Sequence, residues 1–323
     1  MSAPLRLGTR ASALALWQTE RVGARLAEQG YPTERVEIRT TGDVVQDVPL
    51  SRIGGRALFT KQLDDALLDG RIDVAVHSLK DLPTVLPEGL VLGAVGLRED
   101  ARDALVARDG LAWATLPAGA VVATSSLRRR AQLLRARPDL RVTDIRGNVD
   151  TRLAKLDRTE EWAAVLLAAA GLVRLGLAAR ITERLPFEVM LPAPGQGALA
   201  ATVRAADPVA RDAVRQALHD PDTELAVAAE RAFLRRLEGG CQVPVAAFAE
   251  IAREGGGAVV RLRGRVVSLA GEACVEGILT RPVASPREAD ALGATLAEQL
   301  LARGAEAILR SVRDAAAEPV SEP

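Results

Sequence analysis

The stretch Ile72-Asp-Val-Ala-Val-His-Ser-Leu-Lys-Asp-Leu-Pro83 decides the fold. Its first five residues are mostly apolar and β-branched, which is typical of a short buried strand. A helical pattern near Lys61–Asp69 precedes the strand, and Gly70 is well placed to end that helix. Helix followed by strand predicts an α/β chain. The polar residues after Val76 are therefore expected at the carboxyl end of a strand, where ligands bind in such sheets.

Similar apolar stretches of strand length continue on both sides of this segment. Of these, Ala163–Ala170 is the most apolar and predicts a central parallel strand that is covered on both faces. The series predicts two doubly wound lobes that join near Gly96–Asp103. The full series of predicted strands is Val36–Ile38, Ile72–Val76, Val91–Val95, Val121–Thr124, Val142–Ile145, Val165–Ala169 (within Ala163–Ala170) and Ala198–Val203.

The last third of the chain has a different pattern. Asp220-Pro221 supplies an N-cap and a proline at the first helical position, which predicts a helix that runs to about Leu237. Ser285-Pro-Arg-Glu288 fits a capping box in front of a second helix, with Leu292, Leu296 and Leu300 on one face. Strands are predicted near Val245–Ile251, Val259–Val267 and Ala273–Leu279. Together these elements predict a small α+β domain that begins near residue 219, and the tail Ala315–Pro323 is predicted to be disordered.

Composition excludes several classes of function. A length of 323 residues favours two or three domains, and the net charge of zero argues against a general binder of nucleic acid or membrane surfaces. Aromatic residues make up only 2% of the chain, so a surface that stacks bases is not expected. Two cysteines and two histidines predict neither a disulfide framework nor a metal site. No signal-peptide pattern or long apolar stretch occurs, which predicts a cytoplasmic protein without a membrane anchor.

Arginine dominates the basic residues of this chain. Only Lys61, Lys80 and Lys155 are lysines, so arginine supplies the other 39 of the 42 basic side chains. Genomic codon bias explains most of this excess. Its physical consequence is a large supply of planar, permanently charged groups that suit carboxylates.

Four segments after predicted strands carry polar and basic residues. His77-Ser-Leu-Lys-Asp81 offers an acid, a base and a hydroxyl, although Ser78 or Asp81 could simply cap a short helix. In Ala123-Thr-Ser-Ser-Leu-Arg-Arg-Arg130, arginines stand in the first turn of a helix, which is unfavourable unless an anion lies there. A solvated basic helix face or a nucleic-acid patch are the alternatives. Arg146–Arg152 repeats the pattern, and Arg174 follows the most apolar strand. Together these loops predict a ligand with many carboxylates.

Cys241 differs from the other cysteine in its surroundings. It lies in Leu237-Glu-Gly-Gly-Cys-Gln-Val-Pro244, a glycine-flanked turn after a predicted helix, from which a side chain can project into a cleft. Arg236 or another cation could lower the pKa of its thiol. Cys274 falls within a predicted strand and is interpreted as a small buried hydrophobic residue.

With these residues the chain resembles the porphobilinogen deaminase family of tetrapyrrole biosynthesis. The similar motifs follow one order over nearly the whole length: Thr9-Arg-Ala-Ser-Ala-Leu-Ala-Leu-Trp17, Thr41-Gly-Asp43, His77–Pro83, Thr124–Arg129, Arg146–Arg152, Pro194-Gly-Gln-Gly-Ala198 and Glu238–Pro244. The resemblance implies two lobes like those of periplasmic binding proteins and a small C-terminal α+β domain. The implied boundaries are residues 1–97 and 197–217 for the first domain, 102–192 for the second and 219–314 for the third, followed by a disordered tail at 315–323.

The resemblance also implies the chemistry. The family condenses four porphobilinogens head to tail on a dipyrromethane cofactor and releases four ammonias, and hydrolysis gives hydroxymethylbilane. Asp81 matches the catalytic acid, and Cys241 matches the cysteine that holds the cofactor by a thioether. The expected partners are porphobilinogen and the growing oligopyrrole chain, with no nucleic acid and no membrane, and the expected state is a monomer. The cofactor-binding positions are matched by Lys80, Ser126, Arg128, Arg129 and Arg146, and the substrate-binding positions by Arg10, Ser12, Arg152 and Arg174.

The chain departs from the family pattern in few places. A lid loop at Asp47–Phe59 has Arg52 and Arg56 where relatives have lysine, and Phe59 ends it. Val173 replaces a lysine that often precedes the position of Arg174. Two other functions remain open: a cytoplasmic two-lobed protein that binds a dicarboxylate, and a different transferase, such as a phosphoribosyltransferase. The absence of a phosphate-cradling glycine loop weighs against the transferase.

Overall fold

The first sheet contains five strands, and the strand predicted at Ile72–Val76 is the central one. In the computed structural model, which describes residues 3–40, 60–237 and 243–317, its strand order is β2-β1-β3-β10-β4. β1 runs parallel to β2 and β3, whereas β10 runs antiparallel to β3 and β4. Leu199, at the start of β10, pairs with Ser78 at the end of β3, so the chain enters this sheet from its carboxyl edge. The strands are β1 (Leu5–Thr9), β2 (Thr33–Glu37), β3 (Val74–Ser78), β4 (Leu90–Val95) and β10 (Leu199–Arg204).

Three helices cover the two faces of the first sheet. One face packs on α1 (Ala13–Glu28) and α6 (Pro208–Leu218), and buries Leu7, Val22 and Val214. The other face packs on α2 (Lys61–Leu68), with Leu63, Leu67 and Ile72 fully buried. The predicted helix before β3 is thus confirmed, and Gly70 follows it in the left-handed conformation, with φ of 69°.

The second sheet has the strand order β7-β6-β8-β5-β9. The predicted apolar strand is β8, and it lies at the centre, covered on both faces by helices. It is parallel to β6 and antiparallel to β5, so the predicted central position is confirmed and the predicted parallel pairing holds only toward β6. The elements are β5 (Asp103–Ala107), β6 (Val121–Ala123), α3 (Leu127–Ala136), β7 (Arg141–Thr143), α4 (Val149–Arg158), β8 (Trp162–Ala168), α5 (Ala169–Arg174) and β9 (Glu183–Arg184).

The C-terminal domain is an antiparallel three-stranded sheet with helices on one face. Phe233 is fully buried beneath Gly264, and Leu292, Leu296 and Leu300 face the same core, as predicted. The final helix continues to Ala317, residues 318–323 lie outside the described part, and the predicted disorder of the tail at 315–323 stays a prediction. The elements are α7 (Pro221–Arg236), β11 (Val245–Glu254), β12 (Gly257–Val267), β13 (Cys274–Val283), α8 (Pro286–Leu300) and α9 (Glu306–Ala317).

Glu230 of α7 ties the C-terminal domain to both segments that connect the lobes. Its carboxylate is fully buried and accepts hydrogen bonds from Arg98 Nη1 at 2.6 Å on the outgoing segment and from the backbone N–H of Gly195 at 2.7 Å on the returning one. It also accepts from the backbone N–H of Ala249 at 2.8 Å on β11. This buried ion pair therefore joins the C-terminal domain to the segments between the lobes. Across the described ranges, no helix is both long enough and apolar enough to cross a membrane.

Candidate active site

A cavity of about 270 Å³ opens between the two lobes, at the carboxyl ends of β3 and β8. Both lobes contribute polar side chains to its wall, which places the predicted loops together as expected for doubly wound sheets. Eight of the predicted site residues line it: Arg10, Ser12, Lys80, Asp81, Arg129, Arg146, Arg152 and Arg174.

Asp81 ends a short 3₁₀ turn, Leu79–Asp81, that directly follows β3. Ser78 occupies the N-cap position of that turn, but its hydroxyl makes no capping bond and instead accepts a hydrogen bond from Gln18 Nε2 at 2.7 Å. The alternative that Ser78 and Asp81 only cap a helix is therefore not what the structure shows. Among the described residues, no hydrogen bond or salt bridge engages the Asp81 carboxylate, so it is available to a ligand in the cavity.

Lys80 lies beside Asp81 and points toward the second lobe. Burial lowers the pKa of Lys80 to about 8, and the charges of Arg129 and Arg128 act in the same direction. The carboxylates of Asp81 and Asp103 oppose this and favour the charged amine. With a pKa of about 8, Lys80 is mostly protonated at neutral pH and can bind a carboxylate.

Arg128 and Arg129 share a buried counter-ion, Asp103, at the start of β5. Arg128 Nη1 lies 2.6 Å from Asp103 Oδ2, and Arg129 Nη2 lies 2.7 Å from Oδ1. Arg129 Nη1 also donates to the carbonyl of Leu166 at 3.0 Å. The sequence predicted that an anion must offset arginines in this first helical turn. Asp103 of the protein itself supplies one negative charge to these arginines. Arg129 lines the cavity, whereas Arg128 does not.

Ser126 is the N-cap of α3. Its hydroxyl accepts a hydrogen bond from the backbone N–H of Arg129 at 3.4 Å. The neighbouring Ser125 hydroxyl donates to the Ile145 carbonyl at 2.6 Å and joins the two loops. Ser126 thus orients the arginine helix, and its predicted contact with the cofactor stays a prediction.

Arg146 and Arg152 flank a turn that requires glycine. Gly147 has φ of 113°, and a Cβ there would lie 2.6 Å from Thr151 Cγ2. The turn lets Arg152 Nε donate to the Gly147 carbonyl at 2.8 Å. Burial lowers the pKa of Arg152 to about 10, helped by the charges of Arg129 and Arg146 and opposed by that of Asp81, so Arg152 stays charged at neutral pH and lines the cavity.

Arg174 reaches from the end of α5 toward the first lobe. Its Nη2 donates to the Gly197 carbonyl at 2.6 Å, and its guanidinium lies 5.9 Å from the ring centre of Trp17 on α1. Burial lowers the pKa of Arg174, and the charge of Glu99 opposes that shift. Arg174 therefore contacts both lobes at one end of the cavity.

The cavity carries six basic side chains and two acidic ones, Asp81 and Asp150. Ser78, Asn148 and Asp150 also line it and were not among the predicted site residues. Asn148 and Asp150 lie within the predicted motif Arg146–Arg152, which was the available signal for them. Asp103 and the buried Gln196 were missed because their roles depend on long-range pairing.

Some predicted residues cannot be placed. Cys241 and the lid residues Arg52, Arg56 and Phe59 lie outside the described residues. Cys274 is half-buried at the start of β13, and burial raises the pKa of its thiol. Within the described ranges, no cluster of three or more histidine, cysteine, aspartate or glutamate side chains could hold a metal ion.

These features define a two-lobed α/β protein with a strongly basic cavity between its lobes and the carboxylates of Asp81 and Asp150 in the cavity wall. The chain matches two family models, one described as "Porphobilinogen deaminase, dipyromethane cofactor binding domain" over residues 5–212 and one as "Porphobilinogen deaminase, C-terminal domain" over residues 224–302. The chain belongs to the porphobilinogen deaminase family. This confirms the predicted resemblance, the function at the level of the family, and dipyrromethane as the cofactor.

Curated relatives agree over nearly the full length. The chain is 51% identical over 313 residues to porphobilinogen deaminase of Syntrophotalea carbinolica, covering 96% of each chain. It is 54% identical over 313 residues to that of Rubrobacter xylanophilus, covering 97% of this chain and 99% of the relative. Among solved structures, the methionine-binding protein MetQ is 13% identical with a TM-score of 0.44, covering 66% of this chain and 89% of that one. That similarity is too low to support a conclusion.

Proposed function

We propose that this transferase of tetrapyrrole synthesis joins four porphobilinogens head to tail on its dipyrromethane, with loss of one ammonia at each condensation. Hydrolysis then frees hydroxymethylbilane. The observation that carries the proposal is the convergence of six basic side chains on one cavity around Asp81. Each pyrrole of this pathway bears an acetate and a propionate, so a growing chain needs many cations and few other contacts.

The residues present fit a bound dipyrromethane. Lys80, Arg129 and Arg146 would hold its carboxylates, with Arg128 and Ser126 fixing the helix from which Arg129 projects. Cys241 would form the thioether that attaches it. When bound, dipyrromethane supplies the nucleophilic pyrrole carbon on which the product is built.

Asp81 would act directly on the reacting porphobilinogen. As ammonia leaves, positive charge develops on the substrate pyrrole, and an adjacent carboxylate stabilises it. The same carboxylate is placed to accept the proton that the new bond releases. The charge of Asp81 raises the pKa of both Lys80 and Arg152. Asp81 would therefore act next to cations that also bind the substrate carboxylates.

The other basic residues would bind and orient the substrate. Arg152 and Arg174 each use one edge of the guanidinium on a backbone carbonyl, which leaves further N–H groups for substrate carboxylates. Arg10 and Ser12, at the start of α1, would complete this set from the first lobe. We propose that Arg52, Arg56 and Phe59 form a lid that excludes water. We also expect the protein to act as a monomer in the cytoplasm.

Two paired substitutions test the proposal. Asp81→Asn should lower kcat about 10²–10⁴-fold, because charge stabilisation and proton transfer are both lost. Asp150→Asn, at the other acid of the cavity, is the matched control and should retain most activity. Consumption of porphobilinogen and release of ammonia are the assay. Equal activity of the two variants would contradict the role of Asp81.

The intact mass of the protein tests the covalent primer. The purified protein should exceed its sequence mass by two porphobilinogens less two ammonias, and Cys241→Ser should lack this excess. An unmodified protein that porphobilinogen fails to convert would instead indicate a dicarboxylate-binding protein.

A further inference from the structure

Gln196 is a buried amide in the segment that returns from the second lobe to the first. Its side chain is 1% exposed and lies outside the cavity wall. Nε2 donates to the carbonyl of Ala101 at 2.8 Å and to Asp103 Oδ1 at 3.0 Å. Oε1 accepts a longer hydrogen bond from Lys80 Nζ at 3.4 Å. The amide thus lies on the returning segment, contacts Ala101 on the outgoing segment, and also contacts Lys80, the residue next to Asp81.

These contacts form a continuous path between the two lobes. Lys80 belongs to the turn after β3 in the first lobe, and Asp103 begins β5 in the second. The Asp103 oxygen that accepts from Gln196 also accepts from Arg129 at 2.7 Å. Lys80 and Arg129 both line the cavity. One amide therefore links a cavity-lining cation of each lobe and does not itself line the cavity.

We propose that Gln196 is a positioning residue that fixes Lys80 of the first lobe relative to Arg129 of the second. It thereby sets the spacing of the carboxylates that these two cations bind. This inference rests on the proposed function, because its consequence is measured on porphobilinogen turnover. Gln196 is also held in place, since its backbone carbonyl accepts from Arg98 Nε at 2.9 Å.

The chemistry of an amide explains why glutamine suits this position. Its oxygen faces a cation and its NH₂ group faces a carboxylate and a carbonyl, so only one orientation of the amide is favourable. A glutamate of the same shape would place negative charge against Asp103. A methionine of similar size would leave Lys80 without this acceptor and Asp103 without one of its donors.

Two substitutions at Gln196 should move the pH profile in opposite directions. The groups that face Lys80 are Asp81, Asp103, Arg128 and Arg129, and none of them is changed. The alkaline limb of kcat/KM is expected to report the deprotonation of Lys80. Gln196→Met removes an acceptor that favours the charged amine of Lys80, so this limb should move about half a pH unit lower. Gln196→Glu adds a carboxylate, so the limb should move higher. In both variants kcat/KM at neutral pH should fall about 10–100-fold.

Gln132→Met is the matched control. Gln132 is also buried, at 2% exposure. Its Nε2 donates to the Leu191 carbonyl at 2.9 Å, and its Oε1 accepts from the Leu191 backbone N–H at 2.9 Å and from Arg265 Nη1 at 2.9 Å. It contacts neither Lys80 nor Asp103. Its loss should lower thermal stability about as much as Gln196→Met, and it should leave the alkaline limb where the wild type has it.

The experiment compares the wild-type holoenzyme with these three variants. It measures kcat and KM for porphobilinogen across pH, together with thermal unfolding. Opposite shifts in the two Gln196 variants, absent in Gln132→Met, support the inference. Unchanged limbs in both Gln196 variants, or an equal shift in Gln132→Met, overturn it. A wild type that does not consume porphobilinogen refutes the proposed function instead. Gln196→Glu keeps the side-chain shape and carries the test if Gln196→Met does not fold.

Discussion

Asp103→Asn tests whether a buried carboxylate organises the arginines of the second lobe. Asp103 is fully buried and accepts from Arg128 Nη1 at 2.6 Å, from Arg129 Nε at 3.0 Å and Nη2 at 2.7 Å, and from Gln196 Nε2 at 3.0 Å. Burial alone would raise the pKa of Asp103, but the charges of Arg128 and Arg129 overcome it and hold the pKa well below its usual range. Asp103 is therefore ionised throughout the working range of pH.

The cost of the substitution follows from the charges left behind. Asparagine keeps the size of the side chain but leaves two buried guanidinium groups facing a neutral amide. Removing one partner of a buried ion pair costs about 3–5 kcal/mol, and Asp103 serves two cations, so we expect the upper part of that range. For a chain of this size the melting temperature should fall by roughly 10 °C. Ligand carboxylates at Arg129 would replace part of the lost charge, so the cofactor-free protein should lose more stability than the loaded one.

The assay is thermal and urea unfolding at pH 7, with Asp100→Asn as the control. Asp100 pairs with Arg102 and Arg184 in the same segment, but its side chain is 23% exposed, and such pairs contribute at most about 1 kcal/mol. Because the pKa of Asp103 is depressed in the fold, its contribution is present above about pH 4 and is lost as the pH falls further. Equal losses in the two variants at pH 7, or a loss that persists unchanged in acid, would refute the reasoning.

Two further substitutions test other parts of the fold. Burial raises the pKa of Asp64 to about 6, so the folded state is weakened as the pH rises through that value, and Asp64→Asn should stabilise it by up to about 3 kcal/mol at pH 8 but not at pH 4. Urea unfolding at both pH values checks this, and an equal gain at pH 4 would contradict it. Gly197 has φ of 89°, and a Cβ there would lie 2.3 Å from the carbonyl oxygen of Glu99. Gly197→Ala should therefore cost more than the ~1–2 kcal/mol of Gly176→Ala, which has φ of 71° and open space around it. Equal unfolding midpoints for the two alanine variants would show that the close approach does not matter.

Much of the fold could be predicted because its signals are local. The helix before Gly70, the strand that includes Val74–Val76 and the cap at Asp220 each depend on a few neighbouring residues. The position of ligand-binding loops at the carboxyl ends of strands follows from the α/β class alone. This is why Asp81 and the basic loops were found before their positions were known.

The missed features depend on which distant segments pair. β5 was missed because Asp103–Ala107 is a short apolar stretch next to the predicted join, with nothing local to separate a strand from a connector. The antiparallel entry of β10 depends on where the returning chain meets β3. Gln196 and Asp103 are 93 residues apart, and no local pattern predicts that their side chains meet.

Arginine supplies five of the six basic side chains of the cavity, and its shape suits that position. Arg152 and Arg174 each bind one internal acceptor with part of the guanidinium, the Gly147 and Gly197 carbonyls. Arg129 is held more fully, because all three of its nitrogens donate to Asp103 or to the Leu166 carbonyl. A planar group with five N–H donors can be fixed by the protein on one edge and still offer a second edge to a carboxylate. An ammonium concentrates its three donors at a single atom, so an internal bond takes donors from the ligand. We therefore expect arginines to be the cations that hold successive carboxylates in register. Lys80 shows the converse, because its single nitrogen needs the separate amide of Gln196 to hold it in place.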